Sequence, residues 1–255
     1  MCIIAIKKRG SKYPSLERVK TMCDNNNDGF AIVWQACNEP VRNYRTLNKA
    51  KFLKKYKTIT SEYKAKDVSL FIHARIKTHG TEKLENCHGW IDNKIGLAFA
   101  HNGILSIKNR DDMTDSETFF RDIFAPAFEL GGWEAGERCV KACIGTSKFA
   151  FMDAKGDIFH FGQYIQSTDD GVLYSNDSYL DFRTRFQSSF GGFGCCGGYK
   201  GCNYDKGWEN ERWKNDTTSA VVKRKKITPI TELKEKTYED FDDWKNTDEY
   251  WKTPF

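Results

Sequence analysis

The sequence predicts an α+β layered domain, and two observations carry that prediction. Short apolar runs of strand length come first, stretches of helical periodicity follow, and short runs return, so strands and helices are segregated rather than alternating as βα units. A chain of 255 residues, 39% hydrophobic and 14% aromatic, also holds enough apolar surface for one large core, alone or with an appendage.

The elements follow in order. Cys2 to Ile6 reads as a short buried strand, and Leu16, Val19, Met22 and Cys23 fall on one face of a helix. Asn25 to Gly29 is a dense turn signal before the β-rich run Phe30 to Trp34, and Leu47 to Tyr56 reads as a basic amphipathic helix. Val68 to Ile76 and Ile95 to Ala100 are strand candidates that each run into a polar cluster. Thr114-Asp115-Ser116-Glu117 has the capping-box form, and Phe119, Phe120, Ile123 and Phe124 suit a helix beginning there. A second helix covers Glu134 to Ala142. Phe149 to Met152, Ile158 to Phe161 and Val172 to Tyr174 read as strands, separated by turns at Lys155-Gly156-Asp157 and Asp169-Asp170-Gly171.

Composition changes near residue 188. A glycine-rich stretch, Gly191 to Gly198, leads to the basic run Lys223 to Lys226 and then to an acidic, Trp- and Tyr-bearing end. Residues 188–255 therefore read as an appendage to a domain spanning 2–187. Its Trp208, Trp213, Trp244 and Trp251 either anchor a partner or fold back over an apolar edge of the domain.

The net charge of +5, from 40 basic and 35 acidic residues spread along the chain, is too mild to mark a nucleic-acid surface. No run approaches the roughly 18 apolar residues of a membrane span, and the apolar start is too short for a signal peptide, so the expectation is a cytoplasmic protein without membrane or nucleic-acid partner. Nine cysteines form an odd set without a secreted-type spacing, which argues for reduced thiols. Neither Cys139-x3-Cys143 nor Cys195-Cys196 with Cys202 has zinc-pair spacing, and the glycine-rich segment lacks the ending of a phosphate loop, so no metal or cofactor is expected.

Cys2 carries the chemistry. A cysteine directly after Met1 permits Met removal and leaves a free α-amine beside a thiol, so one residue supplies nucleophile and base. The amine titrates near ~7.7 to 8.0 and the thiol near ~8.5, which suits proton transfer at neutral pH. The bland alternative is a buried strand cysteine.

Three further clusters follow in order: His73-Ala74-Arg75-Ile76-Lys77-Thr78-His79-Gly80, then His101-Asn102-Gly103, then Thr114-Asp115-Ser116-Glu117. With Cys2 they resemble the class II glutamine amidotransferases of the N-terminal-nucleophile hydrolase superfamily, in which an arginine motif, an H-N-G motif and a short aspartate motif succeed the N-terminal Cys. Asn27-Asp28-Gly29, Glu85-Asn86-Cys87-His88, Lys155-Gly156-Asp157 and Leu173-Tyr174-Ser175-Asn176 are similar to motifs of the small stand-alone branch found in bacteriophage and bacterial genomes. The resemblance covers roughly residues 2 to 185, and departs at Ile3, where many synthase-linked members have Gly, and at Ile76, where several carry Trp.

The resemblance implies a four-layer αββα sandwich with two antiparallel sheets between helical layers. It also implies hydrolysis of glutamine through a γ-glutamyl thioester on Cys2, without a cofactor. Asn102 and Gly103 would form the oxyanion hole; the bland reading of the pair is a hairpin turn. Arg75 would hold the substrate α-carboxylate as a bidentate fork and Asp115 the α-ammonium, against readings as a surface ion pair and a first-turn acid. Thr78 and His79 would line the substrate loop, and His73 and His101 read as hydrogen-bonded strand-end histidines. The ammonia acceptor would be a separate protein or water. Two rivals stand beside this reading: hydrolysis of another γ-glutamyl or small acyl amide, and a virus-encoded binding or structural protein that keeps the fold without turnover.

Overall fold

The computed structural model describes residues 2–37, 39–76, 83–110, 113–181 and 184, and the appendage 188–255 lies outside them. In chain order the elements are β1 (Ile3–Lys7), α1 (Leu16–Asn25), β2 (Phe30–Ala36), β3 (Arg42–Thr46), α2 (Lys49–Glu62), β4 (Val68–Ala74), β5 (Trp90–Asp92) and β6 (Leu97–Asn102). They continue with α3 (Asp115–Thr118), a π-helical turn at Phe119–Phe124, α4 (Ala125–Cys143), β7 (Lys148–Asp153), β8 (Ile158–Phe161), β9 (Ile165–Gln166) and β10 (Leu173–Tyr174).

The strands form two antiparallel sheets, ordered β3-β2-β4-β1-β10-β9 and β5-β6-β7-β8. Strand alternation assigns every other side chain to one of two buried faces, which is why the central strands read as largely apolar runs. From the first sheet, Ile3, Ala5, Phe30, Ile32, Leu70 and Ile72 pack outward against Val19 and Met22 of α1 and Phe52, Tyr56 and Ile59 of α2. Their neighbours Ile4, Ile6, Val33 and Phe71 face the second sheet, meeting the small Ala98, Ala100 and Ala150 together with Met152 and Ile158. Large residues opposite small ones let the sheets interdigitate at native density.

The outer face of the second sheet is aromatic. Phe99, Phe149 and Phe151 pack against Phe119, Phe120 and Phe124, with Phe99 stacked on Phe120 at 4.7 Å between centroids. Each such ring, fully buried, contributes about 1.5 to 3 kcal/mol of transfer free energy. Helices, sheet, sheet and helices thus form the αββα sandwich that the resemblance implied.

Several boundaries differ from the sequence reading. The helix expected at Leu47 to Tyr56 starts at Lys49, because Asn48 caps it by accepting from Lys51 N at 3.0 Å, and it runs on to Glu62. The helix expected at 134–142 is the second half of α4, which bends at Gly131 and Gly132, where Gly132 adopts φ 59°. Strand β4 ends at Ala74 rather than Ile76, and β3, β5 and β9 are strands the sequence reading lacked.

Candidate active site

The site sits at one end of the layer between the sheets, where topology gathers three strand ends. Strand β1 runs antiparallel to both β4 and β10, so its beginning lies beside their ends. Cys2 precedes β1 with the inward parity of Ile4 and Ile6; Arg75 follows β4 with that of Phe71 and His73; Asn102 closes β6 with that of Ala98 and Ala100.

Cys2 is half-buried, and its thiol donates to the Ile76 carbonyl at 3.7 Å. The Asn176 side chain donates to the Cys2 carbonyl at 2.7 Å, tying the start of the chain to the end of β10. Burial pushes the Cys2 thiol up, an effect partly opposed by the Arg75 guanidinium. An unassisted Cys2 therefore stays protonated, and a nucleophilic role needs a base beside it.

Arg75 is buried, and its backbone continues the ladder past β4: its N–H donates to Gly29 O at 2.8 Å and its carbonyl accepts from Asp28 N at 2.9 Å. The Asn-Asp-Gly turn thus holds the arginine. Gly29 has φ 150°, and a Cβ there would overlap the Cys87 sulfur. Glycine is required at that point by both backbone and space.

Asn102 is 2% exposed. Its Nδ2 donates to Ser175 Oγ at 2.8 Å, while its Oδ1 is buried without a partner among the described residues. Ser175 Oγ also accepts from Ile4 N at 2.8 Å, and Ser175 N donates to Ile4 O at 2.9 Å, so one serine links β1, β10 and Asn102. Gly103, at φ 150°, lies so close to Ser147 that an added Cβ would come within 2.7 Å of its Cβ and 2.8 Å of its Cα.

Asp115 opens α3, capped by Thr114, which accepts from Glu117 N at 3.2 Å. The capping box is half made, since the Glu117 carboxylate pairs with Arg121 at 2.9 Å. Asp115 Oδ2 accepts from Leu105 N at 2.7 Å and Oδ1 from Ser116 N at 2.8 Å. The carboxylate therefore fastens the loop that carries Gly103 to the start of α3.

Behind these residues His73, His88 and His101 form a buried stack, with centroids 4.3 Å apart for the first pair and 6.1 Å for the second. His101 Nδ1 lies 2.7 Å from Ser116 Oγ, and His88 Nδ1 lies 2.7 Å from the His101 carbonyl. His73 packs its ring on His88, and neither of its ring nitrogens makes a well-formed hydrogen bond among the described residues. Burial, reinforced for His73 and His88 by the neighbouring imidazoles, holds all three neutral: His88 and His101 are pushed down to about 3 and His73 well below its ordinary value.

No protein-family model matches the chain, and no curated protein does. Solved structures do. The chain is similar to the glutamine phosphoribosylpyrophosphate amidotransferase from B. subtilis, at 14% identity and TM-score 0.45, over 69% of this chain and 42% of that one. It is also similar to a glutamine aminotransferase class-II domain protein from Silicibacter pomeroyi, at 16% identity and TM-score 0.39, over 68% and 87% of the two chains. A third is a predicted glutamine amidotransferase from Pseudomonas aeruginosa, at 17% identity and TM-score 0.38, over 68% and 78%. The chain spans less than half the length of the B. subtilis enzyme, at 42%.

Of the residues singled out from sequence, Cys2, Arg75, Asn102 and Gly103 lie at these strand ends, Asp115 bonds the loop after Gly103 through Leu105 N, and Thr78 and His79 lie outside the described residues. Sequence reasoning gave no role to Gly29, Ser175 or Asn176. The Asn-Asp-Gly and Leu-Tyr-Ser-Asn runs were the available signals.

Proposed function

We propose that the chain is a glutamine amidohydrolase of the class II amidotransferase type, with Cys2 as nucleophile. The observation that carries this reading is the meeting of a half-buried thiol at the start of β1 with Arg75 beside it and a buried amide, Asn102, one face of which has no partner among the described residues. A buried amide with an unpartnered face is uncommon and costs about 1 to 3 kcal/mol, which a substrate oxygen bound there would offset.

The reading requires Cys2 to be the first residue of the mature chain. Its α-amine then takes the thiol proton, answering the burial that holds the thiol protonated. Sulfur attacks the side-chain carbonyl of glutamine, and the developing oxyanion receives the Asn102 amide N–H and the Gly103 backbone N–H. Collapse breaks the C–N bond, the α-ammonium returns its proton to the leaving nitrogen, and ammonia departs. Water then hydrolyses the γ-glutamyl thioester to glutamate and restores the thiol. Arg75 orients the substrate by its α-carboxylate, and Asp115 takes the α-ammonium with the Oδ2 lone pair left after Leu105 N and the Ser116 N–H and hydroxyl have been accepted. Water suffices as acceptor; a separate protein that receives ammonia is compatible with the same chemistry.

The test is glutamate and ammonia release from the wild type and from Cys2→Ala. The wild type, with Met1 absent by mass, is expected to turn over and the variant to fall to background. Equal rates in the two would overturn the reading.

A further inference from the structure

The hydrogen bonds at Asn102 contain two mismatches that one rotation removes. As oriented, Asn102 Nδ2 donates to Ser175 Oγ at 2.8 Å and Oδ1 is buried without a partner among the described residues. Ser175 Oγ also accepts from Ile4 N at 2.8 Å, so both of its lone pairs are filled, and among the described residues no acceptor takes its own proton. The two faces of an amide are nearly isosteric. Turning the Asn102 amide over places Oδ1 against the Ser175 O–H and puts Nδ2 where the orphaned oxygen had been. Each polar atom of the pair then has a partner except the amide N–H groups, which are left for an oxygen of the substrate.

We propose that Ser175 is the positioning residue for Asn102: anchored by the Ile4 N–H, its hydroxyl donates to Asn102 Oδ1 and so presents Nδ2 to the reacting oxygen. This rests on the reading of Cys2 and Asn102 given above. The arrangement has a mechanical logic. Ile4 follows the nucleophile by two residues, so the bond that fixes β1 to β10 also fixes the donor relative to the sulfur. Ser175 touches no reacting atom; it acts through Asn102. A hydroxyl is needed there because the position must accept from one N–H and donate to one carbonyl at once, which Ala cannot do and Thr can.

Four variants test this: Ser175→Ala, Ser175→Thr, Asn102→Ala and the Ser175→Ala/Asn102→Ala pair. Since loss of one oxyanion donor costs about 10²- to 10³-fold in kcat, a misoriented donor is expected to cost about 10- to 100-fold in Ser175→Ala, with KM for glutamine little changed. Ser175→Thr is expected to recover the rate. The double variant should be no slower than Asn102→Ala, because the serine has nothing left to orient. Alkylation of Cys2 by iodoacetamide forms no oxyanion in this hole, so its rate in Ser175→Ala should fall much less than kcat; an equal fall in both would mean that Ser175 places the sulfur through Ile4 rather than Asn102, and overturns the positioning role. If Ser175→Ala does not fold, Ser175→Cys, a weaker donor of similar size, is expected to show a loss of the same kind. An active wild type with Ser175→Ala at full rate, or additive losses in the double variant, overturns the positioning role alone. A wild type that releases no ammonia and takes no label at Cys2 overturns the reading beneath it.

Discussion

Gly103 shows how narrowly single residues are specified here. A methyl group at this position would stand 2.8 Å from Ser147 Cα, backbone that cannot swing aside, and φ 150° is unfavourable for an L side chain. Gly103→Ala is therefore expected to lower kcat at least about 10²-fold by displacing its N–H, and to reduce the melting temperature. A rate within a few-fold of wild type would mean that this N–H does not serve the oxyanion. Cys2, Arg75, Asn102, Gly103 and Asp115 could be named as candidates because residue type and order carry the resemblance. Ser175 could not, since its importance comes from pairing between β1 and β10, whose partners are 171 positions apart for Ile4 and Ser175.

At the level of elements, α1 and the β9–β10 hairpin are joined by one cation. Arg18 lies 2.5 Å from the buried Asp170, 3.0 Å from Ser167 Oγ and 5.3 Å from the centre of the Tyr179 ring, which stacks on Tyr174. Asp170 also accepts from Val172 N at 3.0 Å and from the Tyr174 hydroxyl at 3.2 Å. Removing the guanidinium would leave a buried carboxylate without its charge partner, so Arg18→Ala is expected to destabilise by about 3 kcal/mol in urea unfolding. The exposed Asp169 adds little, and Asp169→Ala should change the midpoint by less than about 1 kcal/mol equivalent. Equal effects of the two would refute a buried clamp. The legible elements were those with several apolar residues in register, such as β1, β2, β4 and β7. Strand β3, Arg42–Thr46, is polar and at the sheet edge, and β5 and β9 have three and two residues, so periodicity had nothing to read. The bend in α4 hid a helix half because Gly131-Gly132 reads as a stop signal.

Across the whole molecule the three stacked histidines couple stability to pH. Their folded pKa values lie below the ordinary histidine value, at about 3 for His88 and His101, so the unfolded chain binds protons that the folded chain excludes. The stability they provide is complete above about pH 6.5 and is lost as pH falls toward 3, with a limiting slope of about 1.4 kcal/mol per pH unit for each histidine. His73→Phe keeps an aromatic ring in the stack and removes one titrating group. It is expected to melt near wild type at pH 7 and to lose less on going to pH 5; parallel losses would show that His73 does not titrate in this range. The layered fold was legible as a class, and the αββα order came with the family resemblance, because sheet-to-sheet packing joins residues far apart in sequence. The central claim remains a chemical one about a single atom, the Cys2 sulfur. It is tested most directly by incubating the protein with a chloroketone analogue of glutamine and mapping the adduct by intact mass and peptide sequencing. One adduct per chain, on Cys2 of a chain lacking Met1, is the expected result; an adduct on another of the nine cysteines with Cys2 unmodified would contradict it.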